Sequence, residues 1–405
     1  MLIFNIGLII FAGYIFGEAA TRVKLPRITG YILAGIFLNL DIFNTLFKNF
    51  ADQTAIVTDI SLSFITFSVG GTLLYSKVKE LGKGILSIAF FESLFAFLTI
   101  LIGFIAITPF FIPIENATWP AVFIPLSILM GSLGSPTDPS AALAVKHEYN
   151  ARGQVSSTIM GAAAFDDVFG IINFSIATAL AQMFVQANSV SAASSSILEP
   201  VTAISGAIIV GLAYGLLFNL ITVLEKRETE GVLIVVVLGL VLMCFGTAAK
   251  FHFDELLSTM VMGAAVVNYN VLRDKIFKLL ERYIEELIFV LFFVISSMQL
   301  DFAVLKNTSA LVASFVIFRI TGKFLGTRFG AAIARSPQRV KKYTVGGLIP
   351  QGGIVIGLAL IIRQNPAFDN ISDIILNVII GATVIHELIG PIFAKTSLKR
   401  AGEIK

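Results

Sequence analysis

Gly134-Ser135-Pro136-Thr137-Asp138-Pro139-Ser140 lies in the middle of an apolar run covering residues 121–145. Two prolines three residues apart remove two backbone donors and clash with the preceding turn, which predicts two half-helices here. Asp138 before Pro139 has the order of an N-cap followed by proline at the first helical position, so the second half starts there. A plain proline kink is the alternative for this run taken alone. A second apolar run, 343–363, is interrupted by Leu348-Ile349-Pro350-Gln351-Gly352-Gly353-Ile354. Backbone groups freed at membrane depth are tolerated only where protein buries them or a wet cavity receives them.

The surroundings of these breaks are lipid-like. Of 405 residues, 56% are hydrophobic and only 14% charged, with a mean hydropathy of +0.89. A soluble protein carries about a quarter charged residues. The single cysteine, Cys244, excludes a disulfide scaffold or a structural zinc site. Thirteen runs long enough to cross a bilayer follow one another, near 2–19, 26–46, 54–76, 84–112, 121–145, 154–187, 200–224, 230–250, 254–271, 284–301, 308–334, 343–363 and 371–396. Connections are short, Ser189–Ser196 is a small loop, and 397–405 is expected to be a short cytoplasmic tail.

Basic residues sort by side. Alternate loops hold 22 of the 29 Lys and Arg, and the opposite loops hold four: Lys48, Lys250, Lys306 and Arg363. The positive-inside rule then places the C-terminus in the cytoplasm and, with thirteen spans, the N-terminus outside. The first apolar run lacks a preceding basic region and is expected to stay as a helix. Arg319, Lys323 and Arg328 remain, all inside span 11. Arg328 can snorkel, but Arg319 and Lys323 are deep enough to need partners.

Ala164-Phe165-Asp166-Asp167-Val168-Phe169-Gly170 supplies them in span 6. Neighbours on a helix point about 100° apart. One carboxylate can therefore meet a cation on another helix while the other faces a cavity; a solvated helix-end pair is the plainer alternative. With span 7 (200–224) as a linker, spans 1–6 and 8–13 form two six-helix units of opposite orientation. Both broken spans then rank fifth. Paired interruptions at matching ranks of inverted repeats point to a secondary-transporter site. Asp138 and Lys323 or Arg319 would offset the partial charges of the half-helix ends. Gly322, Gly326 and Gly330 have the spacing of a close helix contact. Weaker candidates are His386-Glu387, for proton transfer or as a histidine hydrogen-bonded between helices; His147, with Glu148, for pH sensing, though a solvated loop histidine is the better reading; and Glu92 and Asp59, which line a cavity or lie near helix ends.

These motifs together resemble the sodium/proton exchanger superfamily, in the branch of monovalent cation/proton antiporters with a paired Asp-Asp site. Leu25-Pro26-Arg27-Ile28-Thr29-Gly30-Tyr31-Ile32-Leu33-Ala34-Gly35 resembles its second helix, Thr137-Asp138-Pro139 and Pro350-Gln351-Gly352-Gly353 its two broken helices, and Phe165-Asp166-Asp167 its ion site. Ile36-Phe37-Leu38-Asn39-Leu40 departs from the usual Gly-Pro ending of the second helix, and Phe67-Ser68-Val69-Gly70-Gly71-Thr72 lacks an acidic residue often found there. The resemblance implies an all-α membrane fold of 13 helices in two inverted repeats with crossing discontinuous helices. It also implies a homodimer in the inner membrane of a prokaryote, with 1–82 and 230–307 forming a dimerisation domain and 83–187 and 308–396 a mobile core.

Carried over by motif, Asp167 is the cation- and proton-binding carboxylate, and Asp166 pairs with a span 11 cation when no ion is bound. That cation is assigned to Lys323, with Arg319 as the rival. Na⁺ suits the oxygens of Asp166, Asp167, Thr137 and the break around Pro136, Asp138 and Pro139. Exchange of Na⁺ (or Li⁺) for H⁺ by alternating access, electrogenic if two protons move per cation, needs no cofactor, no enzyme chemistry and no nucleic acid. A K⁺/H⁺ antiporter and a sodium-coupled organic-anion symporter are the alternatives.

Overall fold

The computed structural model describes residues 2–40 except 24 and 26, 55–111, 117–138, 142, 145, 146, 149, 151–186, 198–224, 229–351 and 354–404. Pro139, Gly352, Gly353, His147, Glu148 and the Ser189–Ser196 loop lie outside the described residues. Helix α1 spans Leu2–Arg22, α2 Arg27–Leu38, α3 Ala55–Gly71, α4 Tyr75–Phe111, α5 Ile124–Ser132, α6 Gln154–Gln186, α7 Leu198–Leu224 and α8 Glu230–Lys250. Then come α9 Glu255–Tyr269, α10 Arg273–Tyr283, α11 Glu285–Ser297, α12 Phe302–Asn307, α13 Ser309–Ile333, α14 Gln338–Tyr343, α15 Ile354–Gln364 and α16 Asp369–Arg400. No strand occurs among the described residues.

Among the described residues seven helices are long and apolar enough to cross a membrane: α1, α4, α6, α7, α8, α13 and α16. Shorter apolar helices include α2, α3, α5 with the π-turn Trp119–Phe123 before it, and α15. Their ends follow local chemistry. The Asp254 carboxylate caps α9 by accepting from the Leu257 N–H at 2.8 Å, and Asp301 caps α12 through Ala303 and Val304. Gly82, at φ 77°, kinks α4, so its apolar portion starts there although the helix begins at Tyr75.

Two expectations about boundaries change. The segment before α11 is not a bare loop but the amphipathic α10, which buries Ile276, Leu279 and Leu280 on one face and carries Arg273, Lys275, Lys278 and Arg282. The chain after residue 396 is ordered. Helix α16 continues to Arg400, and Leu398, Ala401 and Ile404 are buried.

Three groups of helices meet around the breaks. Helices α1, α2 and α11 pack together, as do α3, α7, α8 and α9, while α4, α5, α6, α13 and α16 surround the interrupted segments. Helix α13 packs backbone to backbone against α4. A Cβ on Gly326 would fall 2.3 Å from the Phe91 carbonyl oxygen and 2.6 Å from the Glu92 Cα. Gly322 and Gly330 meet the α4 backbone in the same way, at Phe95–Ala96 and Ser87–Ile88. This glycine seam brings the two backbones into contact and seats Lys323, between its first two glycines, against α4.

Candidate functional site

Helix α5 ends at Ser132, and residues 135–138 leave the helical path; residues 348–351 do so before α15. The two breaks touch. The Asp138 N–H donates to the Pro350 carbonyl at 3.2 Å, and Gln351 Nε2 donates to the Leu133 carbonyl at 3.0 Å. Pro136 and Pro350 each rest on a glycine of a long neighbouring helix: a Cβ on Gly170 of α6 would lie 2.5 Å from Pro136, and one on Gly390 of α16 would lie 2.6 Å from Pro350. Small residues at these two points allow a helix to press against a pyrrolidine ring.

Arg319 fills the gap between the breaks. Its guanidinium is fully buried and donates to the carbonyls of Gly134, Pro136, Ile349 and Pro350 at 2.5–3.3 Å. Interrupting two helices frees carbonyls that would be costly in a dry interior, and a planar fork of five N–H donors suits several of them at once. Arg319 therefore holds backbone oxygens, whereas sequence reading left it as a rival partner for Asp166.

Lys323, one turn later, meets side chains. Its Nζ forms an ion pair with Glu92 of α4 and donates to the Ser135 carbonyl at 2.9 Å and Thr137 Oγ1 at 2.7 Å. Asp166 Oδ2 lies 3.5 Å from the same nitrogen and also accepts from Thr137 Oγ1. Lys323, Glu92 and Asp166 are all fully buried. Lys323 thus faces two carboxylates, not Asp166 alone. Glu92 is the residue whose importance sequence reading underrated: its depth in the apolar part of α4 was the signal, but which helix faced it was not legible.

Asp167 points elsewhere. It lines a cavity of about 450 Å³ with Thr137, Asp138, Ser68, Thr72, Met160 and Glu285. The wall includes Leu280 and Ile284, at the end of the basic helix α10. A separate cavity of about 550 Å³ is lined by Asp59, His252, Asp254, Glu255 and, at the α15 end, Gln364. Asp59 lies there, accepting from Gln364 Nε2, and not at the Asp166–Asp167 site. Asn173, one turn after Phe169, donates to the hydroxyls of Ser93 and Ser135 and ties α6 to α4 and the first break.

His386 and Glu387 sit on α16 three to four residues before Gly390, the spacing that Asp166 and Asp167 have before Gly170. Both are buried. The His386 ring shares a hydrogen bond with the Ala382 carbonyl of its own helix, and so does not link two helices there. Glu387 accepts from Thr29 Oγ1 of α2 at 3.2 Å.

The sodium/hydrogen exchanger transmembrane profile matches residues 7–399 of this sequence. The chain belongs to that family. A curated relative, the Na⁺/H⁺ antiporter NhaP of Pseudomonas aeruginosa, is 26% identical over 292 residues, covering 68% of this chain and 66% of the relative. Among solved structures, the sodium proton antiporter MjNhaP1 from Methanocaldococcus jannaschii at pH 8 superposes with a TM-score of 0.76 over 99% of this chain and 98% of that one, at 18% identity. A three-dimensional electron-microscopy map of MjNhaP1 gives 0.71 over 100% and 98%, at 20% identity. The chain therefore shares their fold. As a sodium/hydrogen exchanger family member it is a membrane transporter and not an enzyme, and the family needs no cofactor because the ions are its cargo.

Proposed function

We propose that this chain exchanges Na⁺ for H⁺ across the plasma membrane of a prokaryote by alternating access, with Asp167 as the carboxylate that takes either ion. One observation carries the reading: two adjacent aspartates on one buried helix have opposite surroundings. Asp166 is held by Lys323 and Thr137, and Asp167 faces a cavity. Na⁺ is a hard cation and suits the oxygens of Asp167, Thr137 and Asp138 at the cavity wall, with Asp166 joining when Lys323 moves toward Glu92. A proton bound at Asp167 excludes the cation, so the two compete for one site.

The architecture suited to this is thirteen crossings in two inverted repeats, with α7 as the linker and the breaks at equal ranks. The matching Pro136–Gly170 and Pro350–Gly390 contacts support it. Helices α4–α6 and α13–α16 would move against a dimerising scaffold of α1–α3 and α8–α11. The position of the Asp167 cavity beside the basic helix α10 supports an inward-open state, with the C-terminus in the cytoplasm and the cavity at Asp59, Asp254 and Glu255 on the outer side.

Electrogenic exchange follows if a second proton leaves the coupled Asp166–Lys323–Glu92 set with each turnover. Each net charge then couples to about 2.3 kcal/mol per 100 mV. The test is flux in proteoliposomes. Na⁺, Li⁺ or K⁺ gradients are imposed, internal pH is recorded, and membrane potential is varied. Na⁺-driven proton movement that Asp167→Asn abolishes is the expected result; undiminished movement in that variant, or a response to K⁺ alone, would refute the reading.

A further inference from the structure

The first turn of α6, the helix that carries Asp166 and Asp167, takes no cap from the residue just before it. Gly153 precedes it, and a glycine cannot supply the oxygen that the first free amides need. The missing acceptor comes from the far end of the sequence. The Glu403 carboxylate accepts from the Val155 N–H at 2.7 Å through Oε1 and from the Ser156 N–H at 2.9 Å through Oε2. It occupies the space a side chain at 153 would need, since a Cβ there would fall 2.2 Å from Glu403 Cδ.

The chain is shaped to deliver this carboxylate. Gly402 has φ +76°, a left-handed conformation that closes α16. Its N–H donates to the Lys399 carbonyl at 3.0 Å, and the Glu403 N–H donates to the Leu398 carbonyl at 3.0 Å, the paired bonds of a Schellman ending. Leu398, Ala401 and Ile404 are buried in one apolar cluster with Val155 and Ile159 of α6, which anchors the turn on both sides of Glu403. A negative charge at a helix N-terminus also meets the favourable end of the helix dipole.

We propose that Glu403 is a positioning residue for ion exchange: capping α6 from the chain's end, it holds the register and tilt of that helix and so sets how Asp166 and Asp167 meet the two breaks. This rests on the exchange reading above. It also couples α16 to α6 at the basic side, so that any movement of the α16 end is felt at the ion-bearing helix.

The test uses the full-length protein in proteoliposomes, comparing Glu403→Ala, Glu403→Gln, Glu403→Asp and Gly402→Val with the wild type and with Lys399→Ala, an exposed neighbour of the turn. Amide hydrogen exchange at Val155 and Ser156 is followed alongside transport. Expected are loss of protection at these two amides and a rise of about fivefold in the apparent KM for Na⁺ in Glu403→Ala, the scale of losing a helix cap. Gly402→Val should mimic it, Glu403→Asp should restore part of the wild-type KM, and Lys399→Ala should match the wild type. Variants that lose protection at Val155 and Ser156 yet keep the wild-type KM and pH profile would overturn the proposal, as would full protection without Glu403. Absent Na⁺/H⁺ exchange in the wild type would sink the exchange reading instead, while the amide protection still decides whether Glu403 holds α6.

Discussion

The ammonium group of Lys323 is paired with the carboxylate of Glu92, and both side chains are fully buried, while Asp166 waits 3.5 Å from the same nitrogen. A cation shared between two carboxylates can favour one as the other changes its charge or binds an ion. Glu92→Gln should leave Lys323 to Asp166 alone, making Asp166 less available to Na⁺. The expected effect is a roughly five- to tenfold rise in apparent KM for Na⁺, on the scale of one charge-assisted hydrogen bond. An unchanged KM in proteoliposome flux would count against the sharing.

Removing the cation should cost more than removing either acid. Lys323→Met leaves Glu92 and Asp166 buried together without compensation, which is worth about 3–5 kcal/mol in buried pairs broken from one side. The double variant Glu92→Gln/Lys323→Met should recover part of that loss, since only Asp166, which keeps its hydrogen bond from Thr137, then lacks the cation. Thermal melts in detergent across the four-member cycle measure the coupling. Additive shifts would show that the pair does not interact.

Arg319 should resist its most conservative replacement. Its four carbonyl acceptors lie on two separate chain segments, and a lysine cannot span them with three N–H groups on one nitrogen. Arg319→Lys is expected to lower the maximal exchange rate by about tenfold or more, consistent with losing two or more charged hydrogen bonds. Thr321→Val, at an exposed position on the same helix, should leave it within twofold of wild type, taken as roughly the spread of a neutral surface change. Equal rates for Arg319→Lys and the wild type would show that the breaks hold themselves together.

Two glycine substitutions should behave oppositely. A Cβ on Gly326 would meet the Phe91 carbonyl, whereas one on Gly246 of α8 meets nothing within 4 Å. Gly326→Ala is expected to push α13 from α4 and lower stability by about 1–3 kcal/mol, the usual cost of overpacking. Gly246→Ala should be neutral or stabilising by up to about 1 kcal/mol from helix propensity. Comparable melting temperatures for both would mean that the α4–α13 contact is looser than its geometry.

Competition at Asp167 has its own signature. Raising the proton concentration should raise the apparent KM for Na⁺ while leaving the maximal rate unaltered over the range in which protons only compete. Initial rates at several pH values, fitted together, measure this. A maximal rate that falls with acidity at constant KM would point to a regulatory proton away from the cation.

Much of this molecule was legible without coordinates because the bilayer makes local rules severe. Helix length, the proline-interrupted runs at 134–140 and 348–354, and the isolation of Asp166, Asp167, Arg319 and Lys323 among apolar residues are all read against the cost of polar groups in hydrocarbon. Sequence alone determined that these residues needed partners. It did not determine which. Glu92 reaches Lys323 only because a glycine seam brings α4 and α13 backbones together, and Arg319 serves backbone carbonyls only because the two breaks touch. Glu403 and the first turn of α6 are about 250 residues apart in sequence and meet because a left-handed glycine turns the chain back onto an uncapped helix. Pairing between distant segments depends on how helix surfaces fit, and surface fit is a property of all the helices together, not of any one stretch.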